Sequence, residues 1–450
     1  MDCDTSACRI AREAATSRPL AAEAAGPADE ELLDGLQRAA FGYFVAAVNP
    51  ANGLVADTSR VNSPVSIAVV GFALSSYPVA VERGWIERAD AAQRSIAALR
   101  FLRDSDQSGS AEATGYKGFY YHFLDLHTGT RVWRSELSMV DTALLIAGAL
   151  TASAYFNADN IEEAELRGIV DTLYRRIDWH WAQDGEATIR QGWKPECGFL
   201  HYGWEGYNEA IVLYALAAGS PTHPIEGGCY EAWTATYQWE NLYGHDFLYA
   251  GPLFVHQFSH AWIDFRGIQD RFMREKGCDY FENSRRAIEV QREYTRRNPR
   301  RFAGYEENCW GLTACDGPGN QRPEFASERR RLFGYAARGV PYGPDDGTLS
   351  GWAALASLPF APKVAMRAAR NMLQRYPEML STQQYASSFN PTLANPDRSA
   401  WVSAGLFGLD QGIVVMMIEN HRTELIWRLM RACPYVGAGL RCAGFRGGWL

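Results

Sequence analysis

Apolar residues recur at helical spacing in about twelve segments between residues 29 and 430, and no linker separates them. In the first, Leu32, Leu33, Leu36, Ala39, Ala40, Tyr43 and Phe44 form one stripe at i, i+3, i+4, i+7. The same reading predicts helices over 66–82, 88–103, 135–157, 161–177, 206–218, 252–262 and 278–297, then over 349–357, 362–375, 410–421 and 424–430. Strand signals are confined to 118–124 and 130–133, which flank Asp-Leu-His-Thr-Gly in the pattern of a hairpin. An extended α-solenoid should carry a repeat period, and none is evident. The simplest closure is six helical hairpins in a ring: an all-α fold, an (α/α)6 toroid over 29–450 with aromatic-rich loops and a small β-hairpin. Residues 1–28 are rich in alanine and polar residues and read as a disordered tail closed by Pro27.

Composition narrows the function. The 450 residues are 47% hydrophobic and 21% charged, enough to bury an ample core. No apolar run reaches the ~18 residues of a membrane span. A net charge of −8 argues against nucleic acid or an anionic membrane as partner. The run at 285–301 carries seven arginines but also Glu282, Glu289 and Glu293 nearby, which reads as a solvated face. The nine cysteines include no Cys-x-x-Cys, so no zinc site is expected. Cys309 with Cys315, or Cys433 with Cys442, could pair in an exported protein, but reduced thiols are expected. Residues 1–28 lack the apolar core of a secretory signal. As it stands the chain reads as cytoplasmic, or as periplasmic if its true start lies elsewhere. A monomer or weak oligomer is expected.

Three predicted helices begin with an acid on the apolar stripe. Asp141 is followed by Leu144, Leu145 and Gly148, Glu209 by Val212, Leu213 and Leu216, and Asp410 by Ile413, Val414 and Met417. Helix capping favours acids at such ends but does not require the inward face, and a buried carboxylate costs several kcal/mol unless paired. In a toroid these helix starts would line one mouth. Glu136, in the first predicted turn after Ser135, and Glu205 could project there too. Glycoside hydrolysis needs one protonated and one ionised carboxyl, and an acidic cluster can split their pKa values. The chain also holds 14 Trp and 22 Tyr. Trp133, Trp193, Trp204, Trp233, Trp239, Trp262 and Trp310 fall near the acids or helix ends, where indole faces could stack on sugar rings. His256, His260 and Asp264 have metal-ligand spacing, but the Glu of His-Glu-x-x-His is replaced by Gln257, and pocket hydrogen bonding is the preferred reading.

Several segments together resemble a known family. They are Tyr-His-Phe-Leu-Asp at 121–125, Ser-Glu-Leu-Ser-Met-Val-Asp-Thr-Ala-Leu-Leu at 135–145 and Gly-Trp-Glu-Gly-Tyr-Asn-Glu-Ala at 203–210. Further ones are Gly-Ser-Pro-Thr-His-Pro at 219–224, Ser-His-Ala-Trp-Ile-Asp-Phe-Arg-Gly at 259–267, Trp-Gly-Leu-Thr-Ala-Cys-Asp-Gly-Pro at 310–318, and Gly-Leu-Asp-Gln-Gly at 408–412 with Ile-Glu-Asn at 418–420. Over 30–430 the chain resembles the bacterial glucoamylase-like proteins placed with the endo-β-1,2-glucanases of glycoside hydrolase family 144. The resemblance implies an (α/α)6 barrel and inverting hydrolysis of β-1,2-glucan to sophorose or short sophorooligosaccharides, with neither metal nor organic cofactor. Related domains act as transglycosylases, and the glucoamylase label leaves an α-glucan substrate as the competing reading. A non-catalytic glucan-binding protein is the alternative from another class. Carried over motif by motif, the catalytic acids fall among Glu136, Asp141 and Glu209, with Asp410 in support. Substrate contacts are expected from Trp204, Glu205, Tyr207, His260, Trp262, Asp264, Arg266, Trp310 and Asp316.

Overall fold

A computed structural model describes residues 26–325, 328–381 and 384–450. The chain divides into two compact units, one ending at Gly35 and one spanning Leu36–Leu450. In the first, the described residues open helix α1 (Pro27–Ala46). The proline stands at the first helical position, where its missing N–H removes nothing the helix would use. The tail read over 1–28 lies, for residues 1–25, outside the described residues.

Within Leu36–Leu450, four helices are apolar almost all round: α2 (Ile67–Glu82), α4 (Met139–Tyr155), α6 (Ile211–Ala218) and α12 (Gly408–Arg422). Such helices need neighbours on every side. Accordingly α2 packs on both α4 and α12, α4 packs on α6, and the short α10 (Gly351–Leu355) packs on α12. The α2–α4 crossing is close: a Cβ added at Gly148 would lie 2.0 Å from the Gly71 carbonyl oxygen, so only glycine allows the approach. Other helices keep one wet face. They include α3 (Arg88–Asp104), α5 (Ile161–Arg175), α9 (Tyr280–Arg297) and α11 (Pro362–Arg375). On α9 the arginines pair with Glu282, Glu289 and Glu293, as a solvated face requires. Helices α7 (Gly227–Thr234), α8 (Arg271–Lys276) and α14 (Pro434–Cys442) carry no expectation from the sequence, whereas α13 (Leu425–Ala432) does.

Strands are more numerous than one hairpin, and the fold is helix-rich with small sheets rather than all-α. The largest sheet is antiparallel, in the order β2 (Gly115–Tyr116), β3 (Phe119–Tyr121), β5 (Leu137–Ser138), β6 (Gly192–Lys194) and β7 (Gly198–Phe199). Its register sets Tyr120 opposite Ser138 and Leu137 opposite Trp193. The expected hairpin partners meet only in the single bridge Leu124↔Arg131. Instead β4 (Phe123–Leu124) pairs with β1 (Val65–Ser66), which leads directly into α2.

Three predicted helices differ from the structure in their starts or their kind. Helix α4 begins at Met139, not at Ser135, and its N-cap is Ser138, whose Oγ accepts from the Asp141 N–H. Glu136 therefore precedes β5 instead of occupying a first helical turn. Helix α6 begins at Ile211, leaving Glu209 in the turn before it. The helix expected over 252–262 is two 3₁₀ turns, Leu253–His256 and Ser259–Ala261. All seven described cysteines are free, Cys309, Cys315, Cys433 and Cys442 among them. No helix among the described residues is long and apolar enough to cross a membrane.

Candidate functional site

The starts of the inner elements open onto one cavity of about 740 Å³. Ser66 before α2, Asp141 on α4, Glu209 before α6, Phe254 in the first 3₁₀ turn, Trp352 on α10 and Asp410 on α12 all line it. Loops between the elements add Asp57, Arg60, His122, Trp133, Glu136, Trp204, Asp316, Tyr335 and Phe407. Six carboxyl groups thus share one cavity, against one arginine and one histidine.

Their surroundings differ. His122 stands between two of them, with Nδ1 2.9 Å from Glu136 Oε1 and Nε2 3.6 Å from Asp141 Oδ2, and its ring stacks on Phe123. Burial disfavours the imidazolium, but Asp141, Glu136 and Asp57 outweigh it and push the pKa up to about 9. In return, although burial favours the neutral acid, the bond and charge of His122 hold Glu136 below the usual carboxylate range. Asp141 accepts a 2.5 Å hydrogen bond from Ser138 Oγ, so its carboxylate is fixed by its own helix cap.

Among the described residues, Glu209 and Asp410 lack such a cation. Burial raises Glu209 to about 7, helped by the charge of Asp141 and opposed by a backbone hydrogen bond. Burial also drives Asp410 well above its ordinary value. The Ser387 hydroxyl, which donates to Asp410, opposes that shift, while Asp57 and Asp316 reinforce it. Asp57 rises to about 6, mainly from burial, with His122 and Arg60 pulling the other way. Asp316 is tied by an ion pair to Arg60 and a 2.8 Å hydrogen bond from Ser403 Oγ. Trp204 lines the cavity and its buried Nε1–H has no hydrogen-bond partner.

Among the residues singled out from sequence, the cavity brings together Glu136, Asp141, Glu209, Trp133, Trp204, Asp316 and Asp410. It does not include the others. Trp262 and Trp310, expected as cleft walls, are completely buried, and Trp262 Nε1 donates to Ser75 Oγ in the core. His260 is buried against Ser284 Oγ, its pKa lowered to about 3 by burial, then by His256. Asp264 is buried in ion pairs with Arg266 and Arg431, and Arg266 also lies over the Trp427 ring. Tyr207 packs on Tyr280 and His256. Glu205 is exposed near Thr188. The 3₁₀ geometry removes the shared face that His256 and His260 would need, and His256 Nε2 faces the Ala250 carbonyl instead. Among the described residues no group of three or more His, Cys, Asp or Glu is arranged to hold a metal ion.

Sequence reasoning assigned no role to Asp57, Arg60, His122 or Tyr335. His122 lies inside a segment quoted for the family resemblance, and that was the signal available. Asp57 and Arg60 lie in an irregular stretch with no periodicity to mark them.

The family model described as "Putative glucoamylase" matches residues 201–434. A crystal structure of a protein of that description from Bacteroides uniformis is 30% identical, covering 95% of this chain and all of that one, with a TM-score of 0.83. This chain belongs to that family. An endo-β-1,2-glucanase from Chitinophaga pinensis, solved with sophorotriose and glucose, is 27% identical over 95% of this chain and all of that one, with a TM-score of 0.79. An exo β-1,2-glucooligosaccharide sophorohydrolase (non-reducing end) from Parabacteroides distasonis is 28% identical over 448 residues, 92% of this chain. The chain spans 58% of that curated relative's length.

Proposed function

We propose that this protein hydrolyses β-1,2-linked glucans by an inverting acid/base mechanism. The observation that carries the reading is the split between carboxyl groups of one cavity: Glu209 pushed up to about 7, Glu136 held ionised by His122. Inverting glycosidases need this pair, one acid to protonate the leaving oxygen and one carboxylate to activate water. Glu209 is the proton donor. The water-activating carboxyl comes from the Glu136–His122–Asp141 cluster, where His122 holds Glu136 below its ordinary value. Asp410 and Asp316 bind sugar hydroxyls, and the Trp204 indole offers a face for a pyranose. The linkage rests on the relatives, a sophorohydrolase and an endo-β-1,2-glucanase.

The fold we infer for Leu36–Leu450 is the (α/α)6 ring. Six inner elements each send an N-terminal end to the cavity, and the packing α10–α12–α2–α4–α6, with the second 3₁₀ turn against α12, runs most of the way round it. On this reading residues 29–450 form one catalytic domain.

The family description favours a second reading, hydrolysis of α-glucans. One assay separates them. The purified chain is incubated with linear β-1,2-glucan and, in parallel, with starch, and reducing ends and product sizes are followed, with polarimetry for anomeric outcome. Expected are sophorose or short oligosaccharides from β-1,2-glucan, released with inversion, and nothing from starch. Release from starch alone sinks the linkage, and saturable binding without release sinks catalysis.

A further inference from the structure

The main cavity does not end at Trp133. A second cavity of about 400 Å³ opens beyond it, and the two share Arg60, Asn62, Ser63, Pro64 and Trp133 as common walls. On its far side lie Asp125, Leu126 and His127. Trp133 is 71% exposed, an unusual state for so large an apolar side chain, and its ring leans on Phe123.

The backbone makes that display deliberate. Trp133 and Arg134 both adopt left-handed conformations, φ 57° and 49°, a region that side chains of this size avoid. Such strain persists only where its surroundings enforce it. Here the buried Arg131 enforces it: Nε donates to the Ser135 carbonyl at 2.6 Å, Nη1 to Glu196 at 2.7 Å, and the guanidinium lies over Tyr121. The Ser135 N–H closes the turn on Val132 O at 3.0 Å. The facing lip is fixed as well. Asn62 is left-handed at φ 60°, Ser63 Oγ accepts from the Thr58 N–H, and Arg60 is held by Asp316.

We propose that this passage is an additional glucosyl-binding site, with Trp133 as its stacking platform. It takes the part of a β-1,2-glucan chain that extends past the carboxylate cavity. The proposal rests on the functional reading above and adds to it that chain length is sensed at a fixed point. An indole on a preorganised turn binds a sugar face without ordering a loop. Asn62, Arg60 and Asp125 supply hydrogen-bonding groups around it.

The test compares kcat/KM on linear β-1,2-gluco-oligosaccharides of increasing length for the wild type, Trp133→Gly and Trp133→Tyr. Glycine removes the ring and accepts the left-handed backbone, so folding is not at stake. The long-to-short ratio of kcat/KM is expected to fall about tenfold in Trp133→Gly, the worth of one stacked ring. Trp133→Tyr should restore most of it. A ratio unchanged by Trp133→Gly overturns the proposal while leaving the hydrolase reading intact. A wild type that cleaves none of these chains overturns both.

Discussion

Two sets of carboxyl groups in one cavity carry the same residue types in opposite electrostatic settings. In one, Glu136 and Asp141 flank His122, and the imidazolium holds Glu136 below its ordinary pKa. In the other, Glu209 and Asp410 have no cation beside them among the described residues, and burial pushes both up. The sequence places Asp141, Glu209 and Asp410 alike, each an acid at the head of an apolar stripe. Protonation is decided by what stands around the carboxyl: His122 helps hold Glu136 down, while burial raises Glu209 and Asp410.

Removing the uncompensated acid is expected to have the largest effect. Glu209→Gln should lower kcat on β-1,2-glucan by about 10²–10⁴, the usual worth of a general acid, with unchanged circular dichroism. Turnover within tenfold of wild type would take Glu209 out of the mechanism. His122→Gln should erase the contrast from the other side. One pKa unit is a factor of ten in the ionised population at fixed pH, so kcat/KM should drop by about one to two orders of magnitude at pH 5 and recover as pH rises. A superimposable pH profile would mean that His122 does not set the carboxylates.

A smaller effect is expected on stability, and its sign follows from the same shift. Glu209 has a folded pKa raised above its unfolded value, so its contribution is fully present below about 4.5 and lost as pH rises through about 7. Glu209→Gln should therefore be more stable than wild type at pH 8 by about 1–3 kcal/mol, with less gain at pH 5. Equal gains in urea unfolding at both pH values would contradict the raised pKa. The mildest change is Ser387→Ala, which removes the hydroxyl donated to Asp410 and should cost only about two- to fivefold in kcat/KM. A loss as large as that of Glu209→Gln would move Asp410 from support to the centre of the chemistry.

The contrast between the two sets of carboxyls also marks what the sequence could convey. Stripes at helical spacing identified the inner helices, and with them Asp141, Glu209 and Asp410, because a buried helix repeats its signal over several turns. Strands of two or three residues are too short to alternate. The sheet that brings Tyr120 opposite Ser138 was therefore invisible, and with it the placement of Glu136 ahead of β5 and the meeting with His122. The tryptophans misled for a different reason. Trp262 and Trp310 lie close in sequence to family motifs, but burial depends on which neighbours the fold supplies. An indole that donates to Ser75 in the core reads no differently from one that faces a cavity.

The pH dependence of kcat/KM on linear β-1,2-glucan tests the central claim most directly, since it reports the ionisation of the free enzyme's acid. The account predicts an alkaline limb that bends near pH 7 and then falls about tenfold per unit. A rate that stays level from pH 7 to 9 would contradict it, because Glu209 would then be ionised while turnover continued.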